Sequence, residues 1–212
     1  MKFKKENLIL YAITDSKLSE NRDFFEMAEK ALEGGVTIMQ LREKSLEKNA
    51  FLEKACKLRE ICHGHNVPLI IDDDLDVAIE SKADGIHVGA DDISVEEIRK
   101  ITGKDFIIGA TAKTVEQAIS AEKSGADYLG VGAVFPSPTK KNAIRIDEKK
   151  LKEICQSVKI PAVAIGGINF ENADKLKGCN ISGIAVVSAI FAEDDILSAA
   201  KKLREKAENL II

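Results

Sequence analysis

Gln40, Arg42 and Lys44 stand at alternate positions of one short segment of the chain. In a β-strand alternate side chains share a face, so these three should point the same way. Met39 and Leu41 share the opposite, apolar face, which should pack on helices and turn the polar face toward the open end of the core. Two cations side by side are costly unless they meet an anion. The spacing therefore predicts an anion site, and an internal salt-bridge network with nearby aspartates is the alternative.

Two acidic segments follow neighbouring apolar runs. The first lies within residues 72–76, and the second is Asp91-Asp92. Carboxylates that end adjacent parallel strands suit a hard divalent cation, and Mg²⁺ commonly takes only one or two of them. Asp73 and Asp92 are the predicted Mg²⁺ ligands. Helix capping is the alternative explanation for such acids, and it is preferred for Asp74, Asp76 and Asp91.

A proline-containing, hydroxyl-rich segment follows the sixth apolar run. Pro136 and Pro138 limit its conformations, so Ser137, Thr139 and Lys140 could be held ready for an anion. A solvated surface loop explains the same residues equally well.

Two later segments offer backbone amides to a phosphate. Gly166-Gly167-Ile168 and Val187-Ser188 each precede a predicted helix, where N–H groups bind phosphate. Thr111 ends the fifth apolar run and could donate a hydrogen bond into the site, whereas the mid-strand His87 is more typical of a core histidine than of a base. Two anion sites at one mouth indicate two phosphorylated ligands, and hence a transferase.

These residues need a scaffold that brings many strand ends together. Short β-rich runs alternate with longer amphipathic segments, which predicts parallel strands covered by helices. Eight units of about 26 residues in a chain of 212 favour a small (β/α)₈ barrel, a TIM barrel, as one domain over residues 1–212, with its site in the loops after the strands. A doubly wound open sheet is the alternative. The predicted strands are 8–13, 37–41, 68–71, 85–88, 106–109, 128–132, 162–165 and 183–187, and the predicted helices are 24–33, 50–62, 95–101, 115–123, 148–158 and 196–207.

A weak internal repeat supports this count of units. Residues 82–89, 125–132 and 180–187 align with one another, and residues 34–39 resemble them. The four segments fall on alternate predicted strands, which is consistent with four duplicated βαβα quarters.

The composition excludes several classes of protein. A net charge of −4, from 31 basic and 35 acidic residues, provides no surplus of cations for a nucleic acid. The apolar run near residue 10 is too short for a signal peptide, and no run is long enough to span a membrane. Four cysteines without a C-x-x-C pair are typical of reduced thiols. The sequence predicts a cytoplasmic protein with no nucleic-acid or membrane partner, and it leaves a homo-oligomer open.

Several segments together resemble the thiamine phosphate synthase family over almost the whole chain. They are residues 11–15, 40–44, 72–73, 83–89, 91–92, 125–132, 136–140 and 165–168. The resemblance implies a (β/α)₈ enzyme that joins 4-amino-2-methyl-5-hydroxymethylpyrimidine diphosphate to 4-methyl-5-(2-hydroxyethyl)thiazole phosphate. The products would be thiamine phosphate and pyrophosphate.

The resemblance also implies which residues act on the leaving group. Arg42, Lys44 and Lys140 would bind the pyrophosphate and stabilise the charge that grows on it, with Gln40 beside them. Thr111 matches a position, usually serine, that lies close to the leaving group.

The same resemblance implies the remaining contacts. Asp73 and Asp92 would hold Mg²⁺, which bridges the pyrophosphate. Ser137 and Thr139 match positions near the thiazole ligand, and its phosphate cradle matches Gly167, Val187 and Ser188.

Other departures from the family pattern define the alternatives. Asp72 stands where the family usually has asparagine, Ala90 where it has glutamine and Lys113 where it has histidine. A related thiazole tautomerase relies on that histidine and lacks the metal carboxylates, so the resemblance disfavours it. A barrel that binds thiazole phosphate or thiamine phosphate without catalysis is the third possibility.

Overall fold

Eight parallel strands close into a barrel in the order of the chain, so the predicted (β/α)₈ fold is confirmed. The computed structural model describes residues 2–137 and 144–211. Its strands are β1 (Leu10–Ile13), β2 (Ile38–Leu41), β3 (Leu69–Asp72), β4 (Gly85–Val88), β5 (Ile107–Ala112), β6 (Tyr128–Gly132), β7 (Ala162–Ile165) and β8 (Gly183–Val186). Because β8 pairs with β1, the sheet is not open, and the doubly wound alternative is wrong.

Helices follow the strands. They are α1 (Phe24–Glu33), α2 (Lys48–Gly64), α3 (Leu75–Glu80), α4 (Val95–Thr102), α5 (Val115–Ser124), α6 (Glu148–Gln156), α7 (Ser188–Phe191) and α8 (Ile196–Leu210), with 3₁₀ helices at Lys5–Leu8, Ser16–Ser19 and Ala173–Leu176. The short α3 and α7 and the 3₁₀ helices were not predicted, because elements of four to six residues are too short to show an amphipathic period. None of the helices within residues 2–137 and 144–211 has the length and apolar character needed to cross a membrane.

Side-chain caps mark where most of the α-helices begin, α2 and α7 being the exceptions. Asp74 caps α3 as predicted. The capping prediction for Asp76 is wrong, because this residue lies inside the first turn of the helix, where its charge favours the helix dipole. The prediction for Asp91 is wrong, because the chain runs on for several residues before α4 begins. Ser94 caps that helix and forms a reciprocal capping box with Glu97.

The alternation of side chains along the strands divides the apolar residues into two clusters. Met39 and Leu41 belong to the larger cluster, between the barrel and its helices. Gln40 pairs in register with Ile13 and Ile70, whose side chains belong to the cluster inside the barrel. The predicted division of β2 into an apolar outer face and a polar inner face is therefore present.

The internal repeat has a structural counterpart at the start of every second strand. Before β4, the N–H of Asp84 donates to the carbonyl of Leu69, and its carboxylate accepts from the N–H of the same residue. Before β6, Asp127 exchanges the same two kinds of hydrogen bond with Ile108. The matching positions, Thr37 before β2 and Ser182 before β8, also donate their N–H to the first residue of the preceding strand. The repeat thus ties strands together in pairs.

All four cysteines carry free thiols. Burial raises the pKa of Cys155 to about 12, and it also raises the pKa of Cys62. Protonated, buried thiols are poor nucleophiles, so Cys62 and Cys155 are structural residues.

The two hydrogen bonds between Asp127 and Ile108 predict a loss of stability when the carboxylate of Asp127 is removed. Asp127→Ala leaves the buried N–H of Ile108 without this acceptor and also removes the partner of Arg99, which lies 2.7 Å from the carboxylate. We expect the free energy of unfolding, measured in urea, to fall by about 1–3 kcal/mol. Glu193→Ala, at an exposed position, is the control and should change it by less than about 0.5 kcal/mol. Equal effects of the two substitutions would show that the carboxylate contributes nothing.

Candidate active site

A cavity of about 430 Å³ opens among the loops that follow the strands. Its wall includes these predicted site residues: Gln40, Arg42, Lys44, Asp72, Asp73, Asp92, Thr111, Ser137, Gly167, Val187 and Ser188. Thr139 and Lys140, which were also predicted, lie outside the described residues. The barrel thus brings together side chains that are far apart in the sequence, because the carboxyl ends of parallel strands meet at one rim.

The two cations of the predicted anion site are paired with acids. Arg42 Nη1 lies 3.7 Å from an oxygen of Asp15, and Arg42 Nε lies 3.6 Å from an oxygen of Asp72. Lys44 Nζ lies 3.0 Å from Asp72 and also bonds to Asp73. The internal salt-bridge network that the sequence left as an alternative is therefore present in the structure.

These pairs keep Lys44 charged. Desolvation acts to lower the pKa of Lys44, but the hydrogen bonds and negative charges of Asp73 and Asp72 outweigh it and raise the pKa. An ammonium group carries three N–H donors and no acceptor. It can therefore exchange a carboxylate oxygen for a phosphate oxygen and stay charged.

Asp73 and Asp92 supply oxygen donors on neighbouring loops. Asp73 has a left-handed backbone, with φ of 61°, which aspartate tolerates better than most residues, and its N–H donates to the carbonyl of His87. One oxygen of Asp92 accepts from the N–H of Gly89 at 2.7 Å. Two carboxylates in one wall fit Mg²⁺, which fills its remaining positions with water and phosphate oxygens. Among the residues that the structure describes, no group of three or more acidic, histidine or cysteine side chains is placed to hold a metal.

Glu43 lies between Arg42 and Lys44 in the sequence and helps to hold them in place, although it does not line the cavity. Its side chain is 1% exposed and accepts hydrogen bonds from the Ser16 hydroxyl and from Lys54 Nζ. Lys54 also lies 3.6 Å from the centre of the Phe24 ring. These contacts join the loops after β1 and β2 to α1 and α2, and so they hold the backbone that carries Arg42 and Lys44. Sequence analysis missed this role because a single Glu in a charged segment gives no sign of burial.

Beneath the cavity, polar side chains fill the barrel lumen. The prediction that His87 is a hydrogen-bonded core residue holds, but its ring also forms part of the cavity wall. Burial lowers the pKa of His87 to about 4, against the opposing charges of Asp73 and Asp92, so the ring is neutral at ordinary pH. Sequence analysis missed Tyr11 and Tyr128, whose hydroxyls lie 2.8 Å apart inside the barrel. The available signal was their strand alternation, which places both on inward-facing positions.

Position 167 requires glycine for a steric reason that the sequence did not reveal. Its φ is 64°, and a Cβ there would lie 2.2 Å from the carbonyl oxygen of Pro136. The neighbouring carbonyl of Gly166 accepts from the N–H of Phe135 at 2.9 Å. The loops after β6 and β7 are therefore packed backbone to backbone, and the glycines are needed for this contact whether or not their amides bind phosphate.

Comparison with known proteins gives consistent matches over this fold and site. A family model described as thiamine monophosphate synthase matches residues 10–190. A thiamine-phosphate synthase from Clostridium tetani is 46% identical over 194 residues, which cover 92% of this chain and 93% of that protein. A bifunctional thiamine biosynthetic enzyme of Arabidopsis thaliana chloroplasts is 47% identical over 208 residues, covering 96% of this chain but only 40% of that enzyme. The structure of thiamine phosphate pyrophosphorylase from Pyrococcus furiosus superposes with a TM-score of 0.90 at 38% identity, over 98% of this chain and 99% of that one.

The charge network predicts that Asp72 competes with anions for the two cations. Asp72→Asn removes the competing charge and keeps the shape of the side chain. We expect inorganic pyrophosphate to bind about tenfold more tightly in metal-free buffer, measured by titration calorimetry.

Asp76→Asn is the matched control for this measurement. It removes the same charge from an exposed carboxylate that pairs with Lys48 outside the cavity wall. Its affinity for pyrophosphate should stay within about twofold of the wild type. Equal tightening in both variants would mean that net charge, and not competition at the site, controls binding.

Proposed function

This chain belongs to the thiamine monophosphate synthase family, and from that premise we propose the substrates and residue roles of its reaction. The cavity joins 4-amino-2-methyl-5-hydroxymethylpyrimidine diphosphate to 4-methyl-5-(2-hydroxyethyl)thiazole phosphate. The observation that carries the proposal is the convergence of Arg42, Lys44, Asp73 and Asp92 on one cavity wall. Cations and metal-type ligands together suit a diphosphate that must leave.

The difficult step is the separation of charge as pyrophosphate departs. The bond between the pyrimidine methylene carbon and the diphosphate oxygen breaks, and its electron pair leaves with the pyrophosphate. The electron-rich aminopyrimidine stabilises the resulting cation, and the thiazole nitrogen then forms the new bond to the methylene carbon. No strong base is needed, and His87 in the wall is a weak one, because burial lowers its pKa to about 4.

Arg42 and Lys44 stabilise the departing pyrophosphate in this proposal. Both are held in position by carboxylates before substrate binds, so they need little reorganisation when negative charge develops. The diphosphate oxygens take the place of Asp72 and Asp73 as partners of the cations. Lys140 is assigned to the same leaving group by family resemblance.

Asp73 and Asp92 are the proposed ligands of Mg²⁺. When bound, the metal supplies Lewis-acid stabilisation of the pyrophosphate oxygens. Release of Asp73 from Lys44 would free one of its oxygens for this purpose, while the N–H of Gly89 orients Asp92.

The second ligand occupies the opposite side of the cavity. Family resemblance assigns Ser137 and Thr139 to the thiazole and assigns its phosphate to Gly167, Val187 and Ser188. The close packing of the loops after β6 and β7 supports this assignment, because it brings Ser137 and Gly167 into the same wall.

We also propose how the chain is organised and where in the cell it acts. Residues 1–212 act as one domain on small-molecule substrates in the cytoplasm, where the four free thiols are kept reduced. Lys113 in the wall, in place of the histidine on which the tautomerase relies, gives no support to that alternative.

Purified protein with both substrates and Mg²⁺ should form thiamine phosphate. Arg42→Ala and Asp73→Ala should each lower kcat/KM by about 10²–10³, because Arg42 stabilises the leaving pyrophosphate and Asp73 would hold the Mg²⁺ that does the same. Product formation is followed by chromatography, with release of pyrophosphate as a second measurement. Asp76→Asn, outside the cavity wall, is the control and should keep wild-type activity.

Three results would contradict this proposal. Full turnover in excess chelator would remove the role of the metal, and full activity of both alanine variants would remove the roles of Arg42 and Asp73. Tight binding of both ligands without product would favour the non-catalytic barrel.

A further inference from the structure

Five polar side chains form one continuous hydrogen-bonded chain through the barrel lumen. Gln40 Nε2 donates to the Tyr11 hydroxyl at 2.9 Å, and the hydroxyls of Tyr11 and Tyr128 lie 2.8 Å apart. His87 continues the chain, with Nδ1 at 3.1 Å from the Tyr128 hydroxyl and Nε2 at 3.0 Å from the Thr111 hydroxyl. Gln40, Tyr11, Tyr128 and His87 are all buried, although all but Tyr128 also reach the cavity wall, and the hydrogen-bond partners recorded for their side chains lie within this chain of five.

The amide of Gln40 decides the direction of every hydrogen bond in this chain. An amide nitrogen only donates, so the Tyr11 oxygen receives a hydrogen from Gln40 and must pass its own hydrogen onward. Within residues 2–137 and 144–211, Tyr128 is the one further partner of that hydroxyl. Tyr11 therefore donates to Tyr128, and Tyr128 donates to Nδ1 of His87. The opposite direction would leave the hydroxyl hydrogen of Tyr11 without an acceptor among the protein groups that the structure describes.

This direction determines the tautomer of His87 and the orientation of the Thr111 hydroxyl at the other end of the chain. Because Nδ1 of His87 accepts a hydrogen bond, the ring is the neutral tautomer with its hydrogen on Nε2. Nε2 then donates to the oxygen of Thr111, and the hydroxyl hydrogen of Thr111 is left to point elsewhere. Thr111 lines the cavity, so that hydrogen is available to a ligand there.

We propose that Gln40, Tyr11 and Tyr128 are positioning residues that act through His87 and make the Thr111 hydroxyl a hydrogen-bond donor toward the cavity. The inference rests on the proposed function, and the family resemblance assigns Thr111 to a position close to the departing pyrophosphate. A pyrophosphate oxygen only accepts hydrogen bonds, so a hydroxyl that donated to His87 would present it with a lone pair instead. The lumen chain excludes that unproductive state.

The packing of the lumen provides independent support. A Cβ at Gly109 would lie 2.3 Å from the Tyr128 hydroxyl oxygen and 2.5 Å from Nδ1 of His87. A Cβ at Gly130 would lie 3.0 Å from Cε1 of His87. Gly109 pairs in register with both His87 and Tyr128, so the missing side chain leaves the space in which these two residues meet.

Nuclear magnetic resonance of protein labelled with ¹⁵N in its histidines tests the direction of the chain. The sequence has three histidines, and substitution of His63 and His65 by glutamine assigns the signals of His87. We expect a pyrrole-like Nε2 that bears hydrogen and a pyridine-like Nδ1 that accepts a hydrogen bond. In Tyr128→Phe the Nδ1 signal should move to the position of a free acceptor. A hydrogen on Nδ1 in the wild type would overturn the inference.

A double-mutant cycle tests the connection to Thr111. Tyr128→Phe should lower kcat by about tenfold, because it breaks the chain of hydrogen bonds that orients Thr111. It should change KM for the pyrimidine diphosphate by less than about threefold, because Tyr128 is not part of the cavity wall. Thr111→Val, which removes the hydroxyl, should lower kcat at least as much. Thr111→Ser, which keeps the hydroxyl, should have a kcat close to that of the wild type. In the Thr111→Val background, Tyr128→Phe should have less than about a twofold further effect. Ser81→Ala, which removes a buried hydroxyl elsewhere, is the control for loss of packing.

Independent, multiplicative effects of Tyr128→Phe and Thr111→Val would overturn the inference, because Tyr128 would then act without Thr111. The same cycle measured on the affinity for inorganic pyrophosphate with Mg²⁺ requires no turnover. Coupled binding effects in a protein that makes no thiamine phosphate would reject the proposed function alone. Uncoupled effects in an active enzyme would reject this inference alone.

Discussion

In a closed barrel of parallel strands, each side chain points either into the lumen or out toward the helices, and the lumen has room for few large ones. Tyr128 and His87 meet there because Gly109 leaves the space for them. Polar atoms confined in such a space bond to one another, because buried polar groups need hydrogen-bond partners. The same limit of space that packs the lumen therefore also orders its hydrogen bonds, from Gln40 to Thr111.

At the mouth of the barrel, charge replaces space as the controlling factor. Arg42 and Lys44 would repel each other if they stood alone, but Asp72 and Asp73 neutralise them. In the proposed reaction the cations turn to the diphosphate and Asp73 turns to Mg²⁺. Arg42, Lys44 and Asp73 thus each have a partner before and after substrate binds, and the side chains are already in place when pyrophosphate leaves.

Much of this arrangement could be predicted because it depends on short-range patterns. Alternation along β2 and the segment that follows it indicated which way Gln40, Arg42 and Lys44 point, and the eight β-rich runs indicated the barrel. Prediction from the sequence failed where an element is short or where an interaction joins residues far apart in the chain. The brief α3 has no visible period, Asp91 is not a cap because Ser94 competes for that role, and the burial of Glu43 depends on α1 and α2.

Residue spacing was enough to predict the order of eight βα units, the inward or outward direction of strand residues and the types of chemical group at the strand ends, because each depends on neighbouring residues. Which distant groups meet depends instead on how the barrel closes. The pairing of Asp72 with Arg42 and Lys44, the packing of Gly167 against Pro136 and the bonding of Tyr11 to Tyr128 all arise from barrel closure. Closure sets distances between residues far apart in the chain, and no local pattern of residue types records those distances.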